Sequence, residues 1–423
     1  MGEFTRRDFV RTTAVAGFAA AALPGLGAFA AGRDRLGVGV IGCGGRGSGA
    51  AINALEANES TEIVAMGDLF PDRLDHSFNG LSQHEFFGDR VKVGERRFSG
   101  FDAVDRVLAA DGVDMVILAT PPAFRPQHFD AAIRAGKHVF MEKPAAVCPA
   151  GCRLVIDAAA RAEAANLSVV AGTQRRHEIS YVEAMNRIAD GAIGDIISAR
   201  CFWNQGGLWV HERNPSYSDV EWQLRNWLYF CWTSGDHICE QHVHNIDIVN
   251  WAMGGPPREA YAMGGRQTRT AEKYGNVFDH FASELDYGDG RHALSFCRQQ
   301  DGTEARVQED ITGTAGTASL RPRHATLTGA TPWKFSGKYV NPYLQEHIDL
   351  IASIRGERTY LNEGKQVAES TLTAIMARMS AYSGKRVTWE QAMSSKLDLM
   401  KPSLEFGDLA IEPVPTPGET PLI

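Results

Sequence analysis

The apolar residues in the first half of the chain fall into short runs that alternate with stretches of helical periodicity. Short runs rich in β-branched residues predict strands, and apolar positions three to four residues apart predict helices between them. The predicted strands are the apolar run before GCGGRG, then TEIVAMGD, VDMVILATPP, KHVFMEKP and LSVVAGTQ. Strands separated by helices indicate βαβ units, so this half is expected to form a parallel sheet of the α/β class.

The pattern changes from about Asp195, where the apolar runs become longer strands. These segments are DIISARCFW, REAYAMGG, DHFASELDYGDG, RHALSFCRQQ and VQEDITGTAGTASL. The turn Gly288-Asp289-Gly290 between two of them is typical of a hairpin, which predicts an antiparallel sheet. Helical patterns over 343–355 and 364–383 follow and are expected to close the core. We therefore predict an α/β domain over 34–173, an α+β domain over 174–395 and a Pro-rich tail over 396–423.

The N-terminal stretch has the pattern of an export signal. Arg6 and Arg7 precede an uncharged apolar run over 14–23, and Ala28-Phe29-Ala30 offers a small-x-small cleavage site. Residues 1–30 are therefore predicted to be a twin-arginine signal peptide, which implies a periplasmic or otherwise exported protein; a mitochondrial-type presequence or a disordered terminus is the alternative. The run is too short to span a bilayer, and no later segment is long enough, so no membrane span is expected.

Composition narrows the function classes. With 423 residues, 44% of them hydrophobic and 22% charged, the chain is long enough for two domains with their own cores. A formal net charge of −8 argues against nucleic acid as a partner. The seven cysteines include no CxxC pair, so we expect mostly buried thiols, with Cys148 and Cys152 the pair to consider for a disulfide.

The stretch GCGGRG places Gly42, Gly44 and Gly47 in a dinucleotide-binding fingerprint between a strand and a helix. The first glycine permits the turn, the second lets the backbone approach a pyrophosphate, and the third allows close helix packing. Asp68 ends the next strand. A carboxylate there would accept hydrogen bonds from the ribose hydroxyls of NAD and would repel the 2′-phosphate of NADP. This favours NAD over NADP, although Arg46 could reach a phosphate and Asp68 could merely cap a turn.

Two further strand ends carry candidate chemistry. Thr120-Pro121-Pro122 forms a stiff corner with few hydrogen-bond donors, and a cofactor ring could lie against it. MEKP ends a strand at the edge where open α/β sheets bind ligands. Lys143 precedes Pro144, which restricts its backbone, and a neighbouring oxidised nicotinamide would lower the pKa of its amine and make it a proton acceptor. A solvated surface lysine is the alternative.

The segment GDHICEQHVHNIDIVNWAMGG is predicted to be one helix with a core stripe and a polar face. The polar face carries His237, Glu240, His244 and Asp247. The aromatic segment before it, from Trp222 to Trp232, suits sugar binding, so this face is expected to line a cleft rather than open solvent. A metal held by His237, Glu240 and His244 is considered, but no HExxH or cysteine pattern supports it, and no metal is expected.

Together these motifs resemble the Gfo/Idh/MocA family of nicotinamide-dependent sugar and inositol oxidoreductases. The matching features are GVGVIGCGGRG, ATPP followed by His128, AGKHVFMEKP, GTQRRH, and the helix from His244 to NWAMGG. The resemblance covers nearly all of residues 34–390. It implies a Rossmann domain followed by a domain with an open, largely antiparallel sheet, which such proteins often use for contacts in a homo-oligomer.

The resemblance also implies site residues. The catalytic group would be Lys143, Glu240 and His244, although the family more often has aspartate where this chain has Glu240. The cofactor residues would be Gly42, Gly44, Gly45, Arg46, Gly47, Asp68, Thr120, Pro121, Glu142, Lys143 and Gln174. The candidate substrate contacts are Arg176, His177, Tyr181, Trp227, His237 and Asp247, of which the first three have salt bridging at the domain junction as the alternative.

The reaction that the resemblance implies is hydride transfer between a sugar carbon and C4 of the nicotinamide. Lys143 or His244 would exchange the hydroxyl proton. An exported enzyme has no free NAD pool, so the cofactor should be tightly bound and recycled in place. A redox-neutral NAD-dependent glycosidase, which acts by transient oxidation and elimination, is the alternative activity; a sugar-binding protein with a vestigial nucleotide fold is a third.

Overall fold

A parallel sheet dominates the first part of the computed structural model, which describes residues 35–401 and 404–422. Within these residues six strands pair in the order β3-β2-β1-β4-β5-β6, all parallel. They are β1 (Leu36–Ile41), β2 (Thr61–Asp68), β3 (Arg97–Ser99), β4 (Met115–Leu118), β5 (His138–Met141) and β6 (Val169–Ala171). The order reverses between β1 and β4, which opens a crevice at the carboxyl ends of these strands.

Helices cover both faces of this sheet, which explains why its strands are continuously apolar. The helices from this part of the chain are α1 (Gly45–Ala57), α2 (Pro71–Ser82), α3 (Ala103–Leu108), α4 (Arg125–Arg134) and α5 (Pro149–Ala164). Two later helices complete the layers: α11 (Pro342–Ile354) packs beside α1, and α12 (Gly364–Ser383) packs beside α5. The C-terminal part of the chain therefore returns to the first domain.

The second part contains a nine-stranded sheet, counted within the described residues, in the order β14-β13-β12-β11-β7-β10-β9-β8-β15. Its neighbours are antiparallel except β7 and β10, which run parallel. The strands are β7 (Ile196–Gln205), β8 (Glu259–Gly265), β9 (His280–Gly288), β10 (Arg291–Gln299), β11 (Arg306–Gly313), β12 (Gly316–Arg321), β13 (His324–Gly329), β14 (Trp333–Lys334) and β15 (Val387–Thr388). The predicted fold class is confirmed.

The remaining helices belong to the second part of the chain. They are α6 (Ile179–Ala189), α7 (Asp219–Arg225), α8 (Cys231–Ser234), α9 (His237–Glu240), α10 (Val243–Met253) and α13 (Trp389–Ser394). Helix α12 is buried along nearly its whole length. Its hydroxyl side chains reach both domains: Thr371 accepts from the amide of Ala145 at 3.0 Å, and Ser380 accepts from the amide of Ala262 at 2.8 Å.

Several local predictions need correction. The segment VQEDITGTAGTASL is a hairpin, because the chain turns between β11 and β12, and not one strand. The first helix begins at Gly45, within the glycine-rich stretch itself. The hairpin at Gly288-Asp289-Gly290 forms as predicted, and all three residues have positive φ. All seven cysteines are buried free thiols, so Cys148 and Cys152 form no disulfide.

The Pro-rich C-terminal segment packs against the second domain. The Gly407 carbonyl accepts from the amide of Val220 at 3.1 Å, and the Gly418 amide donates to the carbonyl of Ser383 at 2.9 Å. Among the described residues no helix has the length and apolar character needed to cross a membrane. The twin-arginine pattern falls on residues 1–30, which lie outside the described residues.

Candidate active site

The glycine-rich turn after β1 has the geometry that a dinucleotide needs. Gly42 has φ of +93°, and a Cβ there would lie 2.6 Å from the backbone of Ala119. A Cβ on Gly47 would lie 1.8 Å from the carbonyl oxygen of Gly42, so this position requires glycine for the helix to approach the strand. By contrast, a Cβ on Gly44 or Gly45 would meet no atom within 4 Å, which leaves room above the N-terminus of α1.

Asp68 lies at the carboxyl end of β2, where its carboxylate caps the glycine-rich turn. Its carboxylate accepts from the amide of Cys43 at 2.6 Å and from the amide of Phe70 at 2.8 Å. Burial raises the pKa of Asp68, although these two hydrogen bonds oppose the shift. The predicted turn-capping role is therefore present in the structure, and each carboxylate oxygen keeps acceptor capacity for a ribose hydroxyl.

A cleft of about 810 Å³ begins at this turn and runs along the carboxyl ends of β1, β2 and β4. The lining contributed by the first domain includes Gly42, Gly44, Gly45, Arg46, Asp68, Arg73, Phe101, Thr120, Pro121 and His128. The open space above Gly44 and Gly45, next to the amides at the start of α1, suits a pyrophosphate. The residues present therefore fit a nicotinamide dinucleotide, with Asp68 at the adenosine ribose and Thr120-Pro121 further along.

Arg46 links the glycine-rich turn to two acidic side chains. It forms an ion pair with Glu142 and a second, at 3.2 Å, with Glu346 of α11, and its guanidinium lies 4.9 Å from the centre of the Tyr343 ring. Gln174 donates to the Tyr343 hydroxyl at 3.2 Å. The structure thus brings three predicted cofactor residues together, but it uses Arg46 for ion pairing instead of aiming it at a phosphate.

Lys143 reaches from the end of β5 to the second domain. It follows Glu142, its peptide bond to Pro144 is cis, and its ammonium donates to the backbone carbonyl of Glu240. Burial lowers the pKa of Lys143, while the charges of Glu240 and Glu142 oppose this shift. The amine is thus easier to deprotonate than a surface lysine even before any cofactor is bound.

Arg125 fixes the two strand ends that carry this chemistry. It is 1% exposed and donates to the Pro144 carbonyl at 2.9 Å and to the Thr120 carbonyl. One side chain thereby joins the Thr120-Pro121 corner to the segment that holds Lys143. The sequence analysis did not identify Arg125, because its only signal was a charged residue at the start of a helix.

Glu240 and His244 lie beside Lys143 in a buried setting. Burial raises the pKa of Glu240, and burial together with the charge of Lys143 lowers that of His244 well below its usual range. His244 stacks on Trp203 with ring centres 5.6 Å apart, and its Nδ1 is buried with no hydrogen-bond partner among the described residues. A neutral imidazole with a free nitrogen can accept a proton.

The continuous helix predicted over this cluster is wrong. The chain forms α9 (His237–Glu240) and, after Gln241 and His242, a separate helix α10 (Val243–Met253). The four residues assigned to one polar face, His237, Glu240, His244 and Asp247, therefore do not share a helix face, and all are at least nine-tenths buried. Asp236, with φ of +70°, caps α9 and accepts from the amides of His237 and Phe278.

Two predicted substrate contacts are paired with each other. Arg176 makes two hydrogen bonds to Asp247, at 2.8 and 3.0 Å, and its guanidinium stacks on Trp251. Asp247 also accepts from Ser370 of α12 at 2.8 Å. The structure thus places both residues in the junction between the domains, which was the alternative interpretation for Arg176.

His177 and Tyr181 also lie away from the cleft. His177 is paired with Asp349 at 2.6 Å and with Glu363 at 3.2 Å. Burial acts to lower the pKa of His177, but the charge of Glu363 and the hydrogen bonds to both acids outweigh it and raise the pKa to about 10. Tyr181 is fully buried and donates to Glu309 at 2.8 Å. These contacts are structural, so neither side chain is free to meet a substrate.

The last two predicted substrate residues lie in different places. Trp227 lines the cleft. His237 is buried, bonds through Nδ1 to Asp236 at 3.0 Å, and has a buried Nε2 without a hydrogen-bond partner among the described residues. It lies close enough to Glu240 to lower the pKa of that carboxyl, so it borders the Lys143, Glu240 and His244 group rather than the nucleotide turn.

The structure adds residues to which the sequence assigned no site role. His128, named above only as a feature of the family resemblance, bonds to Thr120 at 3.1 Å, stacks on Phe124 and lines the cleft. Trp209 and His211, from the loop after β7, line the same cleft. That loop had no periodic pattern, so nothing in the sequence indicated which domain it would face. Within the described residues no group of three or more His, Cys, Asp or Glu side chains is arranged to hold a metal ion.

Comparison with protein families finds two matches that follow one another along the chain. Residues 36–170 match the model of an oxidoreductase family with an NAD-binding Rossmann fold, and residues 181–319 match the GFO/IDH/MocA C-terminal domain. The first match covers the glycine-rich turn and Lys143, and the second covers Glu240 and His244. The first domain is therefore an NAD-binding domain.

Among curated proteins, an uncharacterized oxidoreductase of Streptococcus pneumoniae is 29% identical over 259 residues, 60% of this chain and 60% of that protein. The 2,7-anhydro-N-acetylneuraminate hydratase of Escherichia coli is 26% identical over 52% of this chain and 57% of its own length. Inositol 2-dehydrogenase 3 of Saccharopolyspora erythraea is 28% identical over 67% of this chain and 72% of its own length. The chain spans less than two thirds of the first two relatives.

Solved structures share the fold at low sequence identity. Aldose-aldose oxidoreductase from Caulobacter crescentus, complexed with glycerol, aligns with a TM-score of 0.66 and 19% identity over 84% of this chain and 99% of that one. The WlbA dehydrogenase from Bordetella pertussis, in complex with NADH and UDP-GlcNAcA, aligns with a TM-score of 0.64 and 20% identity over 84% and 98% of the two chains. Both structures share the fold of this chain over 84% of its length.

Proposed function

The chain belongs to the Gfo/Idh/MocA family of oxidoreductases, and we propose that it is an exported NAD-dependent enzyme that oxidises or reduces a sugar or a sugar derivative. The single observation that carries this proposal is the contact of Lys143 with the Glu240 carbonyl. That contact joins the end of β5 in the NAD-binding domain to the buried acid and histidine of the second domain. Ionisable groups with shifted pKa values beside a nucleotide cleft are typical of an active site.

Three side chains of the proposed site, Lys143, Glu240 and His244, can hold or transfer a proton. When bound, NAD would accept a hydride from the sugar carbon, and its reduced form would donate one in the reverse direction. Burial lowers the pKa of both Lys143 and His244, so both side chains lose their charge more readily, and an uncharged Nζ or imidazole nitrogen has a lone pair to offer the hydroxyl proton. Glu240, whose pKa is raised by burial, can hold a proton beside them. His237, which borders this group, is the candidate contact to the sugar, whereas Trp227, the other predicted one, lines the nucleotide cleft.

Export and cofactor retention are linked in this proposal. The twin-arginine pattern at Arg6 and Arg7 implies transport of a folded protein, and an exported enzyme cannot exchange its cofactor with a cytoplasmic pool. We propose that the NAD remains bound and that a second sugar or carbonyl compound restores its oxidation state. The aldose-aldose name of the Caulobacter crescentus structure describes a reaction of that kind in that protein.

We also propose that the chain forms a homo-oligomer through the second sheet. Tyr261, Met263 and Leu294 are 51%, 68% and 39% exposed, and the pairings of Tyr261 and Leu294 with Glu284 place them on one sheet face. A second copy would bury this apolar face by a symmetric contact. Sedimentation should show an oligomer in the wild type and smaller species in Met263→Glu; a monomeric wild type would contradict this.

The function is tested by extracting the nucleotide from the purified protein and by offering the protein free sugars and nitrophenyl glycosides. We expect NAD without a 2′-phosphate and a change in reduced nicotinamide absorbance with free sugars. Release of nitrophenol with no net change in reduced nicotinamide would instead identify the redox-neutral glycosidase. A protein that takes up neither NAD nor NADP would contradict both activities.

A further inference from the structure

The outer wall of the nucleotide cleft comes from the second half of the chain. We call residues 206–227, the loop after β7 together with α7, the clasp. Trp209, His211, Leu224 and Trp227 of the clasp line the same cleft as Asp68 and the glycine-rich turn. The cleft is therefore a space between two domains rather than a groove on one of them, and a ligand in it would be covered on its outer side.

The clasp is braced on its own domain. The Tyr229 hydroxyl lies 3.2 Å from the Leu208 carbonyl and 3.0 Å from that of Trp209, and bonds to this part of the backbone. The Trp222 indole donates to the His211 carbonyl at 3.1 Å, and the His211 amide donates to the fully buried Asn226 at 2.9 Å. Because buried side chains fix the backbone on both sides, Trp209 and His211 hold their positions by packing within the second domain.

One arginine fastens the clasp to the first domain. Arg225, the last residue of α7, makes two hydrogen bonds of 3.0 Å to Asp72 at the start of α2. Its guanidinium also lies 3.9 Å from the centre of the Phe70 ring, and Arg73 donates to the Arg225 carbonyl at 3.3 Å. Such paired bonds between guanidinium and carboxylate fix direction as well as distance.

A second fastening comes from the C-terminal segment 404–411, which we call the strap. Phe406 of the strap lies 5.2 Å, centre to centre, from the Phe101 ring and 6.1 Å from that of Phe70, both in the first domain. The Leu409 amide donates to Asp219 at 3.0 Å at the start of α7. The strap thus touches the first domain with an aromatic ring while its backbone holds the clasp.

Both contacts with the first domain, the Arg225–Asp72 pair and the packing of Phe406, lie at one end of the cleft. Phe70, Asp72 and Arg73 directly follow Asp68, which stands where the adenosine ribose binds in folds of this class, and Phe101 follows the neighbouring strand β3. The Arg225 pair and the Phe406 contact therefore lie at the adenosine end, whereas Lys143 and His244 are not among the residues that line this cleft.

We propose that the clasp forms the outer wall of the adenosine site of the cofactor, and that the Arg225–Asp72 pair and Phe406 keep the dinucleotide resident. This inference rests on the proposed function. It assigns to Trp209 and His211 a cofactor-binding role, and it gives cofactor retention a structural cause that is separate from the catalytic group.

The test measures how fast a bound nucleotide leaves the full protein. The protein is loaded with NADH, excess NAD is added, and the loss of energy transfer from tryptophan to NADH gives the release rate. Arg225→Gln and Phe406→Ala are compared with wild type. Arg386→Gln is the matched control, because Arg386 forms an exposed pair with Glu259, 3.3 Å apart, outside the cleft lining. Thermal unfolding checks that each variant is folded.

We expect Arg225→Gln and Phe406→Ala each to release NADH at least about fivefold faster than wild type, because lost contacts act mainly on dissociation rates. Arg386→Gln should match wild type, and Asp72→Asn combined with Arg225→Gln should add little to Arg225→Gln alone. If folded Arg225→Gln and Phe406→Ala release NADH as slowly as wild type, the clasp inference is wrong while the proposed function stands. A wild-type protein that binds no nicotinamide nucleotide overturns both.

Discussion

At the scale of single residues, burial decides which side chains can do chemistry and which hold the domains together. Lys143 and His244 both have lowered pKa values, with burial as the largest cause, and neither is paired with a carboxylate at hydrogen-bond distance among the described residues. His177 is equally buried, but two carboxylates contact it and raise its pKa to about 10. Within the described residues, histidine is therefore left without a carboxylate partner in the proposed catalytic group and is ion-paired at the domain junction.

The first residue-scale prediction separates the two candidate bases. Lys143→Arg keeps a charge and a donor near the Glu240 carbonyl but cannot release its proton at neutral pH. If Lys143 is the base, this variant should lose about 10²- to 10⁴-fold in turnover and should lose the rise of activity with pH that reports deprotonation of the amine. His244→Gln should then keep that pH profile. Full activity in both variants would rule out our catalytic assignment.

The second residue-scale prediction concerns how the contribution of His177 to stability changes with pH. The folded-state pKa of His177 is raised above its unfolded value of roughly 6.5. The ion pairs therefore stabilise fully below that value and lose their effect as pH rises toward about 10. His177→Gln should lower the free energy of unfolding by about 2 to 3 kcal/mol at pH 6 and much less at high pH, measured by urea unfolding. Equal losses at both ends of this range would contradict the raised pKa.

At the scale of secondary-structure elements, the sequence predicted the structure best where local geometry alone decides the residue type. The strand, glycine turn and helix around Gly42 were predictable because chain reversal and close packing both demand glycine there. The break between α9 and α10 was not, because apolar periodicity continues through Gln241, and the cap that begins α9 at Asp236 depends on a contact with Phe278, which is distant in the chain. Arg176 and Asp247 were predicted as substrate contacts, and no local pattern indicated that they would pair with each other across 71 residues of chain.

The glycine-rich turn allows an element-scale prediction that separates folding from binding. A Cβ at Gly44 meets no protein atom within 4 Å, and this residue already has an extended backbone, so Gly44→Ala should keep the wild-type melting temperature. Its methyl group would occupy the space of the pyrophosphate, so NAD affinity should fall at least about tenfold by calorimetric titration.

Gly47→Ala is the contrasting variant. Its Cβ would lie 1.8 Å from the Gly42 carbonyl oxygen, which forces α1 away from β1. This change should lower the melting temperature as well as NAD affinity, by about 2 kcal/mol or more in stability. If Gly44→Ala bound NAD as tightly as wild type, the dinucleotide would not lie on this turn.

At the scale of the whole molecule, two sheets and the helices between them make one site. Helix α12 bonds to Ala145 beside the Lys143 segment and to Asp247 on α10, so it sets the distance between the parts of the catalytic group. The clasp and the strap close the other end of the cleft. The domain that binds NAD was predictable from local motifs, but the contacts that join the domains come from residues far apart in the chain, which no local pattern reveals.

The central claim is that a resident NAD is reduced and reoxidised on the protein by sugars. The most direct measurement mixes the purified, nucleotide-loaded protein with one sugar at a time and follows reduced nicotinamide absorbance without adding free NAD. We expect a rise that stops at about one equivalent per chain, because each chain holds one nucleotide, and that reverses when a suitable carbonyl sugar is added. Continuous turnover only when free NAD is supplied, with the nucleotide exchanging freely, would contradict it.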